Sequence, residues 1–164
     1  MGSGKSTIGK ILSEKLGFLF IDIDKIIEIY EGCTITDIFK NKGEDYFRTL
    51  ESEIIKKIYS NSCCVFSCGG GVVLKEQNMA IIKNNSIVVY LSVSADTAYN
   101  RLKDLKDRPL IEKNNKKETI ENILKKRVPL YLKYADMVFD VNNVLPDKIA
   151  EKIIETLKKQ YVII

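Results

Sequence analysis

The sequence predicts an α/β fold, a three-layer α/β/α arrangement around a mostly parallel sheet. Helical and strand-like segments alternate along its 164 residues. The strand-like segments are short apolar runs, and a glycine-rich turn opens straight into a helix at the amino end.

Ser6 to Leu16 reads as the helix that leaves the turn. Phe18 to Asp22 is a short apolar strand, and Asp24 to Tyr30 is helical. Glu44 to Ile58 is a longer helix, with Phe47, Leu50, Ile54 and Ile58 at helical spacing. Cys63 to Ser67 is a buried strand that runs into Gly69, Gly70 and Gly71. Lys75 to Lys83 reads as a helix, Ile87 to Leu91 as a strongly apolar strand, and Ala95 to Leu102 as a helix. Lys103 to Lys116 is charged and without periodicity, so a mobile loop is expected. Lys117 to Tyr134 is helical with an expected break near Pro129. Met137 to Val141 is the last strand. Pro146 stands near the start of a closing helix whose face is Ile149, Ile153 and Leu157.

Composition narrows the function classes. The hydrophobic fraction is 45% and the charged fraction 29%, as in ordinary globular proteins. A net charge of +4 is too mild for a nucleic-acid binder, where a concentrated basic stripe is expected. The four cysteines, Cys33, Cys63, Cys64 and Cys68, lack zinc-type spacing, and no histidine is present to complete a site. Reduced, mostly buried thiols are the expectation. No signal peptide or membrane-length apolar run is visible, so a cytoplasmic protein without a membrane partner is expected. Without histidine, any general base must be a carboxylate, lysine, tyrosine or cysteine.

The chain opens Met1-Gly2-Ser3-Gly4-Lys5-Ser6-Thr7. Gly-Lys-Ser is the tail of the phosphate-binding pattern G-x-x-x-x-G-K-[ST], the P-loop. Its glycines let backbone N–H groups turn inward around phosphates, and the helix that follows adds free donors and a favourable dipole. Lys5 is expected to reach the β- and γ-phosphates, and the Ser6 hydroxyl to ligate Mg²⁺. Gly2, Ser3, Gly4 and Thr7 complete the nucleotide-binding set. Gly-Ser-Gly alone would fit a tag scar; Lys5-Ser6-Thr7 followed by apolar Ile8, Ile11 and Leu12 does not. The pattern's first glycine, and the strand that normally feeds the loop, would lie before Met1. Either the chain starts internally, or the protein lacks the strand and binds ATP poorly. The intact sequence downstream favours the first.

Three further features stand out, two near the ends of strands and one on the long helix. Asp22 and Asp24, at i and i+2 in extended chain, point to one side at the carboxyl end of a strand, where α/β sheets bind ligands. One could organise Mg²⁺, and the other could accept the proton of an attacking alcohol. The plainer reading is a helix N-cap with a solvated neighbour. Arg48 and Glu51 share a helix face, either as a surface ion pair or as an arginine held to bind a carboxylate with two hydrogen bonds. Three successive glycines, 69 to 71, cost backbone entropy and suit close approach of backbone to a ligand.

From Arg48 to Val73 the chain resembles the signature of the shikimate kinase family. It has a basic residue, Glu51 three later and apolar Ile55. After a spacer come Val65-Phe66, Ser67, any residue, three glycines, any residue and apolar Val73. Gly43-Glu44 ahead of Phe47-Arg48 is also similar to the family. The resemblance covers nearly the whole chain except its start. It implies a nucleoside monophosphate kinase-like fold with five parallel strands in the order 2-3-1-4-5, of which the first, central strand is missing here. It implies transfer of a phosphoryl group from ATP to the 3-hydroxyl of shikimate, on the route to aromatic amino acids.

Residue by residue, the resemblance makes Lys5, Asp24 and Arg108 the catalytic set. Asp24 would bind and activate the shikimate hydroxyls, and Asp22 would help Ser6 organise Mg²⁺. Arg48 and Arg127 would grip the carboxylate, with the Gly70 N–H on a hydroxyl between Gly69 and Gly71. Arg127 stands in Arg127-Val128-Pro129-Leu130-Tyr131, similar to the family's R-x-x-L-Y segment. Arg108, in Arg108-Pro109-Leu110-Ile111, looks like the lid arginine that meets the transferring phosphoryl group, and Arg101 resembles the adenine-stacking arginine. One departure is Asn143-Val144-Leu145 before Pro146, where many members carry a basic residue near the adenine. The expected organisation is one kinase domain over 1–164, with a substrate-binding region at about 24–60 and a lid at 103–116. A monomer whose partners are the small molecules ATP and shikimate is expected. Two other readings stand beside this one: another small-molecule kinase of the same fold, such as a gluconate kinase, and a nucleotide-binding protein impaired in catalysis.

Overall fold

A computed structural model of the chain describes residues 1–58, 63–103 and 115–161. The helices are α1 (Lys5–Leu16), α2 (Ile23–Glu31), α3 (Ile35–Ile58), α4 (Glu76–Asn85), α5 (Ala95–Leu102), α6 (Lys116–Tyr134) and α7 (Pro146–Gln160). The strands are β1 (Leu19–Asp22), β2 (Cys64–Ser67), β3 (Val89–Ser92) and β4 (Met137–Asp140). A single 3₁₀ turn, Val72–Leu74, follows the glycine triplet.

All strand pairing is parallel. β1 lies on β2 with Leu19 opposite Cys64 and Asp22 opposite Ser67. β3 lies on β4 with Val89 opposite Met137 and Ser92 opposite Asp140. Among the described residues no ladder joins β2 to β3. A cavity of about 770 Å³ lies between them, lined by all of β2, by Val89 to Leu91 of β3, and by no residue of β1 or β4. In the expected order this is the place of the central strand. Val65, Phe66, Tyr90 and Leu91 are therefore only half-buried, although the middle of a parallel sheet is normally covered.

Side-chain alternation along a strand feeds two cores, one on each face of the sheet. Val65 packs with Ile8, Leu12, Ile149 and Ile153 of α1 and α7. Its neighbour Phe66 packs with Ile27, Phe47, Ile54 and Met79 of α2, α3 and α4. The cavity reaches both cores, since Ile8 and Leu12 line one side of it and Val73 and Met79 the other.

The structure differs from the sequence reading in two helices. α3 begins at Ile35, nine residues before the expected start at Glu44, and it bends at Gly43, whose φ of 83° and ψ of 170° interrupt the helical path. Thr34 starts the first limb: its Oγ1 accepts from the Asp37 N–H at 3.1 Å. The polar run Lys40-Asn41-Lys42 masked this limb in the sequence. α6 runs through Pro129 without the expected break. The lost backbone hydrogen bond is offset by packing, because Leu130, Tyr131 and Tyr134 lie against the second core. Among the described residues no helix is long and apolar enough to cross a membrane.

Candidate active site

The carboxyl ends of β1 and β2 bring the first group together. Register sets Asp22 beside Ser67. Ser6, in the first turn of α1, donates its Oγ hydrogen to Asp22 Oδ2 at 2.7 Å, and its Oγ lies 3.2 Å from Ser67 Oγ. Asp22 is also the N-cap of α2, accepting from the Asp24 N–H at 3.1 Å. Asp24 thus belongs to a helix, and strand alternation is not what aligns the two carboxylates. They converge because one caps the turn that carries the other. Lys5 Nζ stands 3.8 Å from Asp24 Oδ2.

The loop before α1 depends on left-handed glycines. Gly2 has a φ of 67° and Gly4 a φ of 79°. A Cβ on Gly2 would also come within 3.0 Å of Ala98 Cα. Gly4 is the N-cap and offers no side-chain acceptor, which leaves the first N–H groups of α1 for an anion. Arg101 Nη1 donates to the Gly2 carbonyl at 3.1 Å and Nη2 to the Val141 carbonyl at 2.9 Å. A second cavity of about 320 Å³ lies here, lined by Ser3, Gly4, Thr7, Arg101, Val144 and Pro146 among others.

Arg48 is not a surface residue. It is 8% exposed, and Glu51 beside it is 0% exposed. Nη1 donates to Glu51 Oε2 at 2.9 Å, while Nε and Nη2 both donate to Glu44 Oε1, at 3.2 and 3.1 Å. Helical spacing of three and four residues makes this fork possible. Burial pushes the Glu51 carboxyl above the usual carboxylate range; Arg48 opposes that rise, and the charge of Asp24 adds to it. Glu51 Oε1 is buried with no hydrogen-bond partner.

The glycine triplet is the meeting point. A Cβ on Gly69 would lie 2.8 Å from Asp24 Oδ1 and 3.0 Å from Glu51 Oε1. On Gly70 it would lie 3.2 Å from Tyr131 Oη and 3.8 Å from Arg127 Nη1. On Gly71 it would overlap the guanidinium of Arg48. Tyr131, one turn after Arg127 on α6, donates its hydroxyl hydrogen to the Gly70 carbonyl at 2.5 Å and stacks on Tyr90 with centroids 4.9 Å apart. Burial raises the Tyr131 phenol above its ordinary pKa, and nearby Arg127 opposes the rise.

The phosphate loop, Asp22, Asp24, Arg48, the triplet and Arg127 therefore cluster at the carboxyl ends of β1 and β2, and Arg101 holds the loop through Gly2. Arg108 and most of the expected lid lie outside the described residues. Sequence reasoning missed Ser67, Glu44 and Tyr131 as parts of this cluster. Ser67 had a signal in its place at a strand end, and Glu44 in its spacing of four from Arg48. Tyr131 had a signal as the tyrosine of the R-x-x-L-Y segment, but its contact to Gly70 spans 61 residues and could not be read from it.

Known proteins share this sequence and fold. A model of the family described as shikimate kinase matches residues 1–158. The shikimate kinase of Thermodesulfovibrio yellowstonii is 41% identical over 159 residues, covering 97% of this chain and 91% of that protein. The shikimate kinase of a Sulfurihydrogenibium species is 43% identical over 160 residues, covering 98% of this chain and 95% of that protein. A solved structure of shikimate kinase from Acinetobacter baumannii, in complex with shikimate, superposes with a TM-score of 0.95 at 34% identity, covering 99% of this chain and 91% of that one. With a match along almost its entire length and a fold shared to that degree, this chain belongs to the shikimate kinase family.

Proposed function

We propose that the chain transfers the γ-phosphoryl group of ATP to the 3-hydroxyl of shikimate, giving ADP and shikimate 3-phosphate. The observation that carries this reading is the juxtaposition of two chemistries. On one side lie the phosphate loop and Lys5, and on the other two arginines reach the glycine triplet, with Asp24 between them and 3.8 Å from Lys5. A phosphate donor and a carboxylate-bearing alcohol would meet at Asp24.

In this reading Lys5 and the N–H groups of Gly2 to Thr7 hold the triphosphate, with the adenine in the cavity beside Arg101 and Pro146. Arg48 and Arg127 grip the acceptor carboxylate, and the Gly70 N–H, flanked by Gly69 and Gly71, holds a hydroxyl. Asp24 accepts the proton of the 3-hydroxyl as its oxygen bonds to the γ-phosphorus and the bond to the ADP oxygen breaks. Arg108 and Lys5 offset charge on the transferring phosphoryl oxygens. Residues 103–116 act as the lid that excludes water, and about 24–60 as the acceptor region, within one kinase domain working as a cytoplasmic monomer.

The donor set at Ser6 fits Mg²⁺. A hydroxyl and a single carboxylate, Asp22, lie within hydrogen-bond distance, and among the described residues no cluster of three or more acidic or thiol ligands could cage an ion. Mg²⁺ prefers such sparse protein sites and takes its other ligands from phosphate and water. When bound, it supplies charge neutralisation to the phosphates.

The test is an ADP-release assay with ATP, Mg²⁺ and a panel of acceptors. Shikimate is expected to support turnover, and gluconate and the no-acceptor control are not. Equal turnover with gluconate, or ADP release independent of acceptor, would sink the assignment.

A further inference from the structure

The three glycines are not required by backbone shape. None of Gly69, Gly70 and Gly71 has a positive φ, and Gly71 sits at φ −95° and ψ −5°, which any residue adopts. What a side chain would strike is more informative. A Cβ on Gly71 would overlap Cζ, Nη1 and Nη2 of Arg48 together, so the guanidinium occupies that space. It cannot swing aside freely, because Glu51 and Glu44 hold it from two directions at 2.9 and 3.1 Å. A Cβ on Gly69 would press on Asp24 Oδ1 at 2.8 Å and on the buried Glu51 Oε1 at 3.0 Å.

We propose that Gly71 and Gly69 are positioning residues: their missing side chains are the seats of the Arg48 guanidinium and the Asp24 carboxylate. Gly71 thereby sets acceptor affinity, and Gly69 sets turnover. The functional half of this rests on the reading above, in which Arg48 holds the acceptor carboxylate and Asp24 takes its proton. The geometric half does not. An alternative role, in which the glycines only provide backbone donors or freedom, makes a different forecast. Alanine keeps the N–H and tolerates the Gly71 backbone angles, so Gly71→Ala would then be nearly silent.

The experiment compares Gly71→Ala, Gly69→Ala, Arg48→Ala and Gly71→Ala/Arg48→Ala in steady-state kinetics. It adds a ¹³C carboxyl NMR titration of Glu51 without ligands. Gly71→Ala is expected to raise the acceptor KM about tenfold or more while kcat and the ATP KM move little. Gly69→Ala is expected to lower kcat about tenfold or more. Once Arg48 is alanine, adding Gly71→Ala does nothing further. Independently of catalysis, Gly71→Ala pushes Arg48 off Glu51 and moves the Glu51 titration to higher pH. A moved titration with an unmoved acceptor KM keeps the seat and removes Arg48 from acceptor binding. An unmoved titration, or kinetic losses that multiply with those of Arg48→Ala, overturns the seat itself. If Gly71→Ala alone does not fold, folding restored in Gly71→Ala/Arg48→Ala/Glu51→Gln supports the proposal, and failure of that triple variant where Arg48→Ala/Glu51→Gln folds overturns it.

Discussion

Replacing Arg48 by alanine tests the most exposed weakness of this site, a carboxylate with no route to water. Glu51 is 0% exposed, receives Arg48 Nη1 on Oε2 at 2.9 Å, and has no partner on Oε1. Lys75 also acts on it, with a smaller influence than Arg48. Breaking a buried ion pair from one side costs about 3–5 kcal/mol, because the remaining charge stays desolvated. Against a total stability of roughly 5–15 kcal/mol, that is a large fraction. Glu51 has one escape, which is to take up a proton. Burial already raises its folded-state pKa, so the folded chain holds more protons than the unfolded chain above the ordinary carboxylate value of about 4.3. Stability then falls as pH rises through that window, and it falls more steeply without the arginine. Urea unfolding followed by circular dichroism from about pH 5 to about pH 8 reads both quantities. Arg48→Ala is expected to lose about 3–5 kcal/mol near pH 7 and less toward acid, and adding Glu51→Gln is expected to restore much of the loss. A loss under about 1 kcal/mol, or one independent of pH, would show that Glu51 does not depend on Arg48.

Three other outcomes follow from the geometry. Asp24→Asn is expected to lower turnover by about 10²–10⁴ with ATP binding retained in a fluorescent-nucleotide titration; turnover like that of the parent chain would refute its role as base. Arg101→Ala removes the donors to the Gly2 and Val141 carbonyls and is expected to raise the ATP KM about tenfold with the acceptor KM flat, whereas equal rises in both would contradict a nucleotide-side role. Gly9→Ala places a Cβ 2.8 Å from Phe20 Cε2 and is expected to cost about 1–3 kcal/mol, recovered by Phe20→Leu; an unchanged melting temperature would disprove the clash.

Much of the fold was legible because its signals are local. The apolar run Val138-Phe139, the helical spacing in α7 and the Gly-Lys-Ser turn each fit within a few residues. Pro146 marked the start of α7 because proline suits the first helical position. Pro129 misled for the same reason that it is normally reliable: its local cost is offset here by contacts of Tyr131 and Tyr134 that the sequence does not display. The candidate site was legible as residue types, and less so as arrangement. Asp22 and Asp24 were paired by strand alternation, yet a helix cap aligns them. The ion pair of Arg48 with Glu51 followed from spacing; its burial, which changes its meaning from ornament to constraint, depends on α3 packing against α4 and the segment after the triplet.

The pairing of β1 with β2 has a mechanical corollary. Lys5 and Ser6 stand on α1, anchored through Ile8 and Leu12 on one face of the sheet, while Asp24 and Arg48 are anchored through Ile27 and Phe47 on the other. β1 and β2 rivet these two foundations together, since Val65 faces the first core and Phe66 the second, and Ser6–Asp22, Ser6–Ser67 and Lys5–Asp24 add polar stitches across the same seam. A molecule touching the phosphate loop and the triplet at once tightens the same seam. A ligand held there is expected to raise the melting temperature by mass action.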